Sequence, residues 1–360
     1  MRPSPTSAPS RPIEPAPCVN TPDPDPAGSP SCKDRAGRQT QRSVHHVPGH
    51  SPAGGLNLGR APLLIKRALE PLVPRNVIGD RFFCWLAFLK NHRRIPKTSD
   101  PIYFSDHLFK IRSSGELYDP LRQITSDKIL VKAYVAHFLG EGFTPATLGI
   151  LASEMEVDTF KFPRPCVIKP SHASQLIRIL KDENDVLDRG ELKHWLRFDY
   201  YRFGRESNYR YVKHRIIVEE LLCESDGSLP NDFKLFCFNG EPQFIQVDAG
   251  RFTNHTRNFY STEWDLLPVT FRYANHPVDS KPKKIQDMLE VARTLARPFF
   301  FVRVDLYLIG ERIYVGELTH IPENGRGAFV PRHLDSALSS LFAGRMLKDL
   351  DLSGAPGKLG

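Results

Sequence analysis

The stretch FFFVRVDLYLIGERIYVGELTHIPENG, Phe299 to Gly325, decides the fold. Apolar and strand-forming residues alternate on both sides of Gly310, which predicts two strands joined by a turn. Two acids, Asp305 and Glu317, stand among these residues. Charges inside strands are costly unless something cationic compensates them. The two acids therefore either face solvent or hold a cation.

The register of this hairpin decides between the two options. A two-residue turn at Gly310-Glu311 would put Asp305 and Glu317 on opposite faces. A three-residue loop would pair Asp305 with Glu317 and Arg303 with Thr319 on one face. Like charges that face each other repel, and a bound cation makes that pairing favourable. We expect the three-residue loop and a metal between the acids.

Length and composition indicate a globular chain of about two domains, on a prior of roughly 150 residues each. The net charge is +8, and the basic residues are scattered, so we expect no nucleic-acid partner. No apolar run is long enough for a membrane span. The six cysteines form no C-x-x-C pair and no signal peptide precedes them, which favours free thiols and a cytoplasmic location.

Composition changes twice along the chain. Residues 1–60 are rich in Pro, Ser, Gly and Ala, which predicts a disordered tail, and three histidines in it do not indicate a metal site. Residues 61–155 are predicted to be helical. The clearest helix is SDKILVKAYVAHFLGEG, with Ser126 or Asp127 as its cap and Gly140 to Gly142 at its end. Short strands separated by turns follow, including a hairpin at Asn239-Gly240, and the fold class is α+β.

Lysines at strand positions suggest an anion site. Lys169 ends the strand PCVIKP and precedes the small polar loop Ser171 to Ser174. An isolated lysine there more often reaches the surface, but an ammonium beside hydroxyls and backbone amides also suits phosphate. The strand end Glu219 to Leu222 has backbone groups that suit an adenine edge. Considered by itself, the same pattern is equally typical of a buried strand with no binding role.

Charged residues also share one face of the next strand. Asp232 and Lys234 are two apart in NDFKLFCFNG, with Phe233, Leu235 and Cys237 on the other face. The carboxylate suits ribose hydroxyls and the lysine suits a terminal phosphate. In GRFTNHTRNFY, Arg251 and Arg257 form either a solvated basic loop or an anion clamp, and these two readings are evenly balanced.

The order of these motifs resembles the ATP-grasp fold. From Pro101 to Leu341 the chain is similar to the TupA-like ATP-grasp amidoligases, which are associated with teichuronopeptide and other surface-polysaccharide synthesis. The resemblance implies two α+β subdomains that hold ATP between them, residues 156–222 and 223–345, followed by a flexible C-terminus at 346–360. It also implies a reaction: ATP phosphorylates a carboxylate, and an amine attacks the acyl phosphate to form an amide.

The resemblance implies a role for each motif. Contacts to ATP are expected from Lys128, Lys169, Ser171 and Ser174 at the phosphates, Glu219, Glu220, Leu221 and Leu222 at the adenine, and Asp232 at the ribose. The γ-phosphate or the substrate carboxylate is expected to contact Lys234, Arg251 and Arg257. Arg303 is expected to stabilise the charge that develops on the transferred phosphoryl group. Magnesium is expected at Asp305, Glu317 and Thr319.

Two departures from the family pattern keep other functions open. Gln175 follows Ser174 where the family usually has glycine, which questions the close approach of backbone to phosphate. Thr319 replaces the asparagine that commonly ends the magnesium motif of the fold. We expect a ligase for a small-molecule or glycan-linked carboxylate and an amine. The alternatives are an ATP-binding accessory protein of polysaccharide assembly and a phosphotransferase.

Overall fold

The computed structural model describes residues 73–250, 254–276 and 279–352. The predicted disordered tail (1–60), most of the helical pattern at 61–73, Arg251 and residues 353–360 of the predicted flexible C-terminus lie outside the described residues. No helix among those described is both long and apolar enough to cross a membrane.

Within the described residues, four α-helices precede the first sheet. They are α1 (Val77–His92), α2 (Phe104–Ser114), α3 (Pro120–Ser126) and α4 (Leu130–Leu139). The predicted cap of α4 is wrong, because α4 begins at Leu130 with no side-chain cap bond at Ile129. Asp127 ends α3 instead, and its carboxylate accepts from the Ile129 N–H at 2.8 Å and from Arg215 at 2.8 Å. The predicted end is confirmed, since Gly140 follows α4 with φ +83°.

A four-stranded antiparallel sheet follows, in the order β1-β4-β2-β3. Its strands are β1 (Thr147–Leu151), β2 (Cys166–Pro170), β3 (Arg178–Leu180) and β4 (Ile216–Glu220). Helices α5 (Glu154–Thr159), α6 (Arg189–Arg197) and α7 (Tyr200–Gly204) connect them. Strand β1 lies within the segment predicted to be helical, because five residues, TLGIL, are too few to show a period.

The second sheet has five antiparallel strands in the order β7-β6-β5-β8-β9. The strands are β5 (Asp232–Phe238), β6 (Glu241–Ala249), β7 (Thr256–Ser261), β8 (Phe301–Ile309) and β9 (Arg312–Thr319). The predicted hairpin between β5 and β6 is confirmed, since Asn239 and Gly240 form a two-residue turn with φ of +50° and +82°. Helix α8 (Ile285–Ala296) precedes β8, and helix α9 (Arg332–Ser339) follows the sheet.

The hairpin of β8 and β9 corrects the predicted loop and confirms the predicted pairing. Ile309 pairs with Arg312, so the turn has two residues rather than three. Asp305 nevertheless pairs with Glu317, because the register shifts between Asp305 and Leu306 and leaves Gly316 as an extra residue. A β-carbon at Gly316 would lie 2.8 Å from the Tyr307 ring, so glycine suits this bulge. The bulge therefore restores the pairing that the turn alone would have prevented.

The two faces of the five-stranded sheet differ. One face is apolar and packs against α4 and α8 through side chains that include Leu235, Ile245 and Val304. The other face has two halves. We call one half the charged half: Asp232, Lys234, Gln246, Asp248, Arg257, Arg303, Asp305, Glu317 and Thr319. We call the other the phenylalanine half: Phe236, Phe238, Phe244, Phe259 and Phe301, which pack against α2 and α9.

Candidate active site

A buried ion network occupies the middle of the charged half. The Lys234 ammonium lies 2.8 Å from Asp248 Oδ2 and 3.4 Å from Asp232 Oδ2. Arg257 donates to both oxygens of Asp248, at 2.5 and 3.1 Å. Burial alone would raise the pKa of Asp248, but Lys234 and Arg257 outweigh it and hold the pKa far below its usual range. This network holds the Lys234 ammonium and the Arg257 guanidinium on the face of the sheet.

The carboxylates of the opening stretch lie on the same face, as the preferred register predicts. Arg303 holds Asp305 by two bonds of 2.7 Å, and it also donates to Thr319 Oγ1 at 3.0 Å. Thr319 in turn donates to Glu317 Oε1 at 2.9 Å. The guanidinium of Arg303 is thus the cation beside the two acids, and the repulsion between them does not by itself require a metal.

This pair nevertheless fits a magnesium ion. No group of three or more His, Cys, Asp or Glu side chains that could hold a metal occurs within residues 73–250, 254–276 and 279–352. Magnesium needs fewer protein ligands, since it retains waters and takes oxygens from phosphates. The Glu317 side chain is 38% exposed and so accessible to an ion. Burial raises the pKa of Asp305 to about 6, against the pull of Arg303 and Lys234, so an added cation would favour its ionised form.

Two lysines share one carboxylate in the four-stranded sheet. Lys169 lies 2.5 Å from Glu219 Oε2, and Lys132 lies 2.6 Å from Glu219 Oε1. Burial opposes ionisation of Glu219, but the two ammonium groups outweigh burial and lower its pKa. Lys132 was not among the residues predicted from sequence, although its position one turn after Lys128 on a predicted helix face was a usable signal.

Lys128 binds the loop that follows β2. Its ammonium donates to the Ala173 carbonyl at 2.6 Å, and its backbone N–H donates to Ser171. Burial lowers the pKa of Lys128, and the next strongest influence is the Glu317 carboxylate on β9, which acts against burial. The field of Lys169 also reaches it. The predicted phosphate lysines and one predicted magnesium ligand therefore lie together.

The loop after β2 keeps the backbone shape of a glycine loop. Gln175 has φ +65°, the left-handed conformation that glycine adopts without strain. Gln175 therefore adopts a backbone conformation that the expected glycine would adopt without strain. The Ser171 hydroxyl donates to the Lys213 carbonyl at 3.0 Å, whereas the Ser174 hydroxyl lies 2.5 Å from the Tyr200 hydroxyl. Of the two serines, Ser174 is the one tied to a side chain of the neighbouring segment.

The strand end Glu219 to Leu222, which was predicted to contact the adenine, has backbone groups that can hydrogen-bond a base. The Glu220 N–H and one of its carboxylate oxygens are used by Ala146, at 3.0 and 2.8 Å. The N–H groups of Leu221 and Leu222 donate to no residue in the described part of the chain. The Glu219 side chain is occupied by its two lysines. The backbone groups of Leu221 and Leu222 therefore remain for a base edge.

Further charged residues of the site were not predicted from sequence. Glu323 lies 3.5 Å from Arg257 and also pairs with Arg272, and Asp248 bridges Lys234 and Arg257. Asp248 continues the alternation of β6 after Gln246, which was a signal in the sequence. Glu323 lies in a loop, where no periodicity marks it.

The arrangement of two antiparallel α+β units with lysines and carboxylates between them is that of the ATP-grasp fold. A family model described as TupA-like ATPgrasp matches residues 111–343. The chain belongs to the TupA-like ATP-grasp family, and the predicted family and fold class are confirmed.

Solved structures of several ligases are similar to this chain at low identity. The L-amino acid ligase from Bacillus licheniformis is 14% identical, with a TM-score of 0.40 over 62% of this chain and 51% of that chain. The D-alanine–D-alanine ligase from Bacillus anthracis complexed with ATP is 16% identical, with a TM-score of 0.31 over 55% and 54%. The corresponding ligase from Helicobacter pylori is 19% identical, with a TM-score of 0.31 over 56% and 56%. The chain thus spans about half the length of these structures, and no curated protein matches it.

Proposed function

We propose that the chain is an ATP- and Mg²⁺-dependent ligase that joins a carboxylate to an amine through an acyl phosphate. The observation that carries the proposal is the convergence of Lys128 and Lys169 with Glu317 across the two sheets. Cations for phosphates and carboxylates for a divalent ion are what phosphoryl transfer requires from a protein. Membership of an ATP-grasp family supports the same reaction class.

The residues divide into nucleotide and reaction roles. Lys128, Lys169 and Ser174 bind the phosphates, and the backbone of Leu221 and Leu222 binds the adenine edge. Asp232 binds the ribose, although Lys234 lies 3.4 Å away and must share it. Ser171 acts through its backbone, because its hydroxyl is bound to Lys213.

Asp305 and Glu317, with Thr319, would hold the magnesium ion, whose role is to neutralise phosphate oxygens. Arg303 already carries a fixed guanidinium beside these carboxylates. It is placed to stabilise the charge of the transferred phosphoryl group. Lys234 and Arg257 hold the γ-phosphate or the substrate carboxylate, and Arg251 has the same proposed role.

The family resemblance extends the proposal to the substrates. The carboxylate is a small molecule or is linked to a glycan, and the setting is surface-polysaccharide or teichuronopeptide-type synthesis in the cytoplasm. Nothing in the charge pattern favours a nucleic acid, because the cations of the site are paired with buried acids.

The test is substrate-dependent ADP release over amino acids and uronic acids with Mg²⁺. Lys169→Ala and Asp305→Asn are each expected to lower the rate at least 100-fold with the fold intact by circular dichroism. Lys193→Ala and Asp287→Asn remove the same groups from surface pairs and should leave the rate unchanged. Undiminished turnover in both site variants would reject the proposal.

The products of the same assay separate the alternatives. Amide formation supports the ligase. A stable phosphorylated product that accumulates without added amine would identify a phosphotransferase. ATP binding without turnover on any substrate pair would identify an accessory protein. The left-handed backbone at Gln175 weakens the argument for the accessory protein, because the loop keeps a glycine-like conformation.

A further inference from the structure

Helix α1 is apolar on two sides. On the inner side Phe83 and Phe88 are 3% and 4% exposed, and the Phe88 ring packs on Phe109 of α2 with the ring centroids 5.3 Å apart. The outer side has three large apolar residues at helical spacing, exposed by 75%, 41% and 39%: Ile78, Phe82 and Trp85. A helix at the surface of a globular protein needs one apolar side to pack against its neighbours. The second apolar side of α1 is therefore a candidate surface for another molecule.

The loop after α1 enlarges this surface. Ile95 in this loop is 70% exposed, and it lines a groove of about 390 Å³ together with Pro96, the three outer residues of α1 and the buried Phe109. The Trp85 indole N–H donates to no residue that the structure describes. Tryptophan, with an apolar body and one polar group, is enriched where water meets an apolar phase.

Cations surround the groove. Arg81 lines it, and Lys97 lies between two residues that line it. Lys90 stands in the last turn of α1, and Arg93 follows the helix. All four residues are exposed, and they form no ion pair with any residue in the described ranges. We call these four cations, together with the outer apolar residues Ile78, Phe82, Trp85 and Ile95, the α1 patch.

Acids do not balance the charge of the α1 patch. Residues 73–100 contain six Lys or Arg residues but only two acids, Asp80 and Asp100. Asp80 is 2% exposed and pairs with Arg205 at 3.3 Å, so it is turned away from solvent. Asp100 is thus the one exposed acid in this segment. The surface combines protruding apolar side chains with an excess of positive charge.

This charge decides which molecule fits the α1 patch. A second copy of the chain that packed patch against patch would bring cations against cations, which is unfavourable. Residues 1–72, which precede the helix in the chain, contain nine Lys or Arg residues and five acids, so they too carry an excess of positive charge. The complementary occupant is anionic at its surface and apolar beneath it.

We propose that the α1 patch binds the surface of an anionic lipid bilayer. The apolar side chains enter the boundary between headgroups and acyl chains, as those of interfacial helices do. Arg81, Lys90, Arg93 and Lys97 lie at the lipid phosphates, where each cation adds to the affinity. This inference goes beyond the proposed function, because it concerns where the protein is held and not the reaction.

Co-sedimentation of the full chain with lipid vesicles tests the proposal. One set of vesicles is phosphatidylcholine alone, and the other contains phosphatidylglycerol as about a third of the lipid. The wild type is expected to bind the anionic vesicles at least tenfold more tightly at about 0.05 M NaCl, and to lose most of this preference at about 0.5 M. Tryptophan emission should shift to shorter wavelength on binding, and Trp85→Phe should remove this shift.

Variants assign the binding to the α1 patch. The double variant Ile78→Ser with Ile95→Ser should bind anionic vesicles at least tenfold more weakly, because two exposed apolar side chains no longer enter the bilayer. The double variant Arg81→Gln with Lys97→Gln should lose about fivefold for each charge. The matched controls are Val186→Ser, at a residue 92% exposed, and Arg345→Gln, at an exposed arginine that binds the Asp349 carbonyl. Both controls should bind as wild type does.

Circular dichroism and the affinity for AMP-PNP, the analogue of ATP that is not hydrolysed, check that each variant is folded. The proposal is rejected if the wild type does not bind anionic vesicles at low salt, or if both double variants bind them as tightly as the wild type. A dimer that dissociates in the isoleucine variant, without any binding to vesicles, would make a second copy the occupant and reject the lipid. Failure of the wild type to bind AMP-PNP would reject the proposed function and leave the α1 patch standing.

Discussion

The charged half and the phenylalanine half lie on the same face of the same five strands, yet one is built for ions and the other for packing. In β5 the face passes from Asp232 and Lys234 to Phe236 and Phe238, and β8 passes from Phe301 to Arg303 and Asp305. Arg303 lies over the Phe236 ring at 5.9 Å, where the halves meet. Strand alternation therefore determines which face a side chain is on. The position along the strand determines whether that side chain belongs to the ion network or to the packed core.

Two buried carboxylates sharpen the contrast. Asp305 in the charged half and Asp335 on α9, beside the phenylalanine half, each have a pKa raised to about 6 by burial. Asp305 is held by two bonds to Arg303 and pairs with Glu317 across the strands. Asp335 accepts a bond from the Phe329 N–H at 3.2 Å. A raised pKa alone does not distinguish a site residue from a structural one, but the neighbouring groups do.

The largest expected effect is on stability, from Phe301→Ala in the phenylalanine half. Phe301 is fully buried, with ring centroids 5.1 Å from both Phe238 and Phe342. Its truncation should lower the free energy of unfolding by about 3–5 kcal/mol. Urea denaturation measures this change, and the folded fraction should bind AMP-PNP as wild type does.

The neighbouring residue is the control for this prediction. Phe300 is 44% exposed, so Phe300→Ala should cost less than about 1 kcal/mol. If Phe301→Ala kept full stability but lost AMP-PNP binding, the phenylalanine half would be part of the site, and the division of the face into two halves would be wrong.

The sequence predicted most of this sheet but not all of its geometry. Alternation placed Asp232 and Lys234 opposite Phe233 and Leu235, and Asn239-Gly240 marked the hairpin, because these signals act between neighbours in the chain. The pairing of Asp305 with Glu317 was also predictable. The bulge at Gly316 was not, since it depends on how Tyr307 packs on the finished hairpin.

Contacts between segments that are distant in the chain were not predicted from the sequence. Glu219 binds Lys132 and Lys169, and Arg257 lies 3.5 Å from Glu323. The periodicity of the sequence does not predict such contacts, because they depend on how distant segments pack against each other. Residue types at strand ends therefore predicted the chemistry of the site, but they did not predict which residues pair with one another.

The second prediction tests the charged half with Arg303→Lys. Lysine keeps the positive charge but cannot make the two parallel bonds to Asp305, so the position of the charge is lost. The expected loss is about 100-fold in kcat/KM for ADP release, or about 2.7 kcal/mol of transition-state stabilisation. The free energy of unfolding should change by less than about 1 kcal/mol.

The control is Arg293→Lys on α8, where the guanidinium binds the exposed carboxylates of Glu241 and Glu290. It should leave both the activity and the stability unchanged. A loss of stability without a loss of activity in Arg303→Lys would mean that the charged half holds the fold rather than the reaction.

The third prediction is a gain rather than a loss, because Asp335→Asn should raise stability at neutral pH. Burial raises the pKa of Asp335 to about 6, above the roughly 3.9 of an unfolded chain. Between these values the folded protein keeps a proton that the unfolded chain has lost, so Asp335 lowers stability as pH rises through this window. Asparagine cannot ionise and keeps the acceptor for the Phe329 N–H. The gain should be about 2 kcal/mol at pH 5.5 and should level off at about 3 kcal/mol above pH 6.

Urea denaturation of both proteins from pH 4 to pH 7.5 gives this gain as a difference, which removes the contribution of every other titrating group. The difference should vanish near pH 4, and the rate of ADP release should not change at any pH. A gain of the same size at pH 4 would show that Asp335 is not titrating in this window. A lost activity would place this carboxylate with Asp305, although its neighbours are those of a packing site.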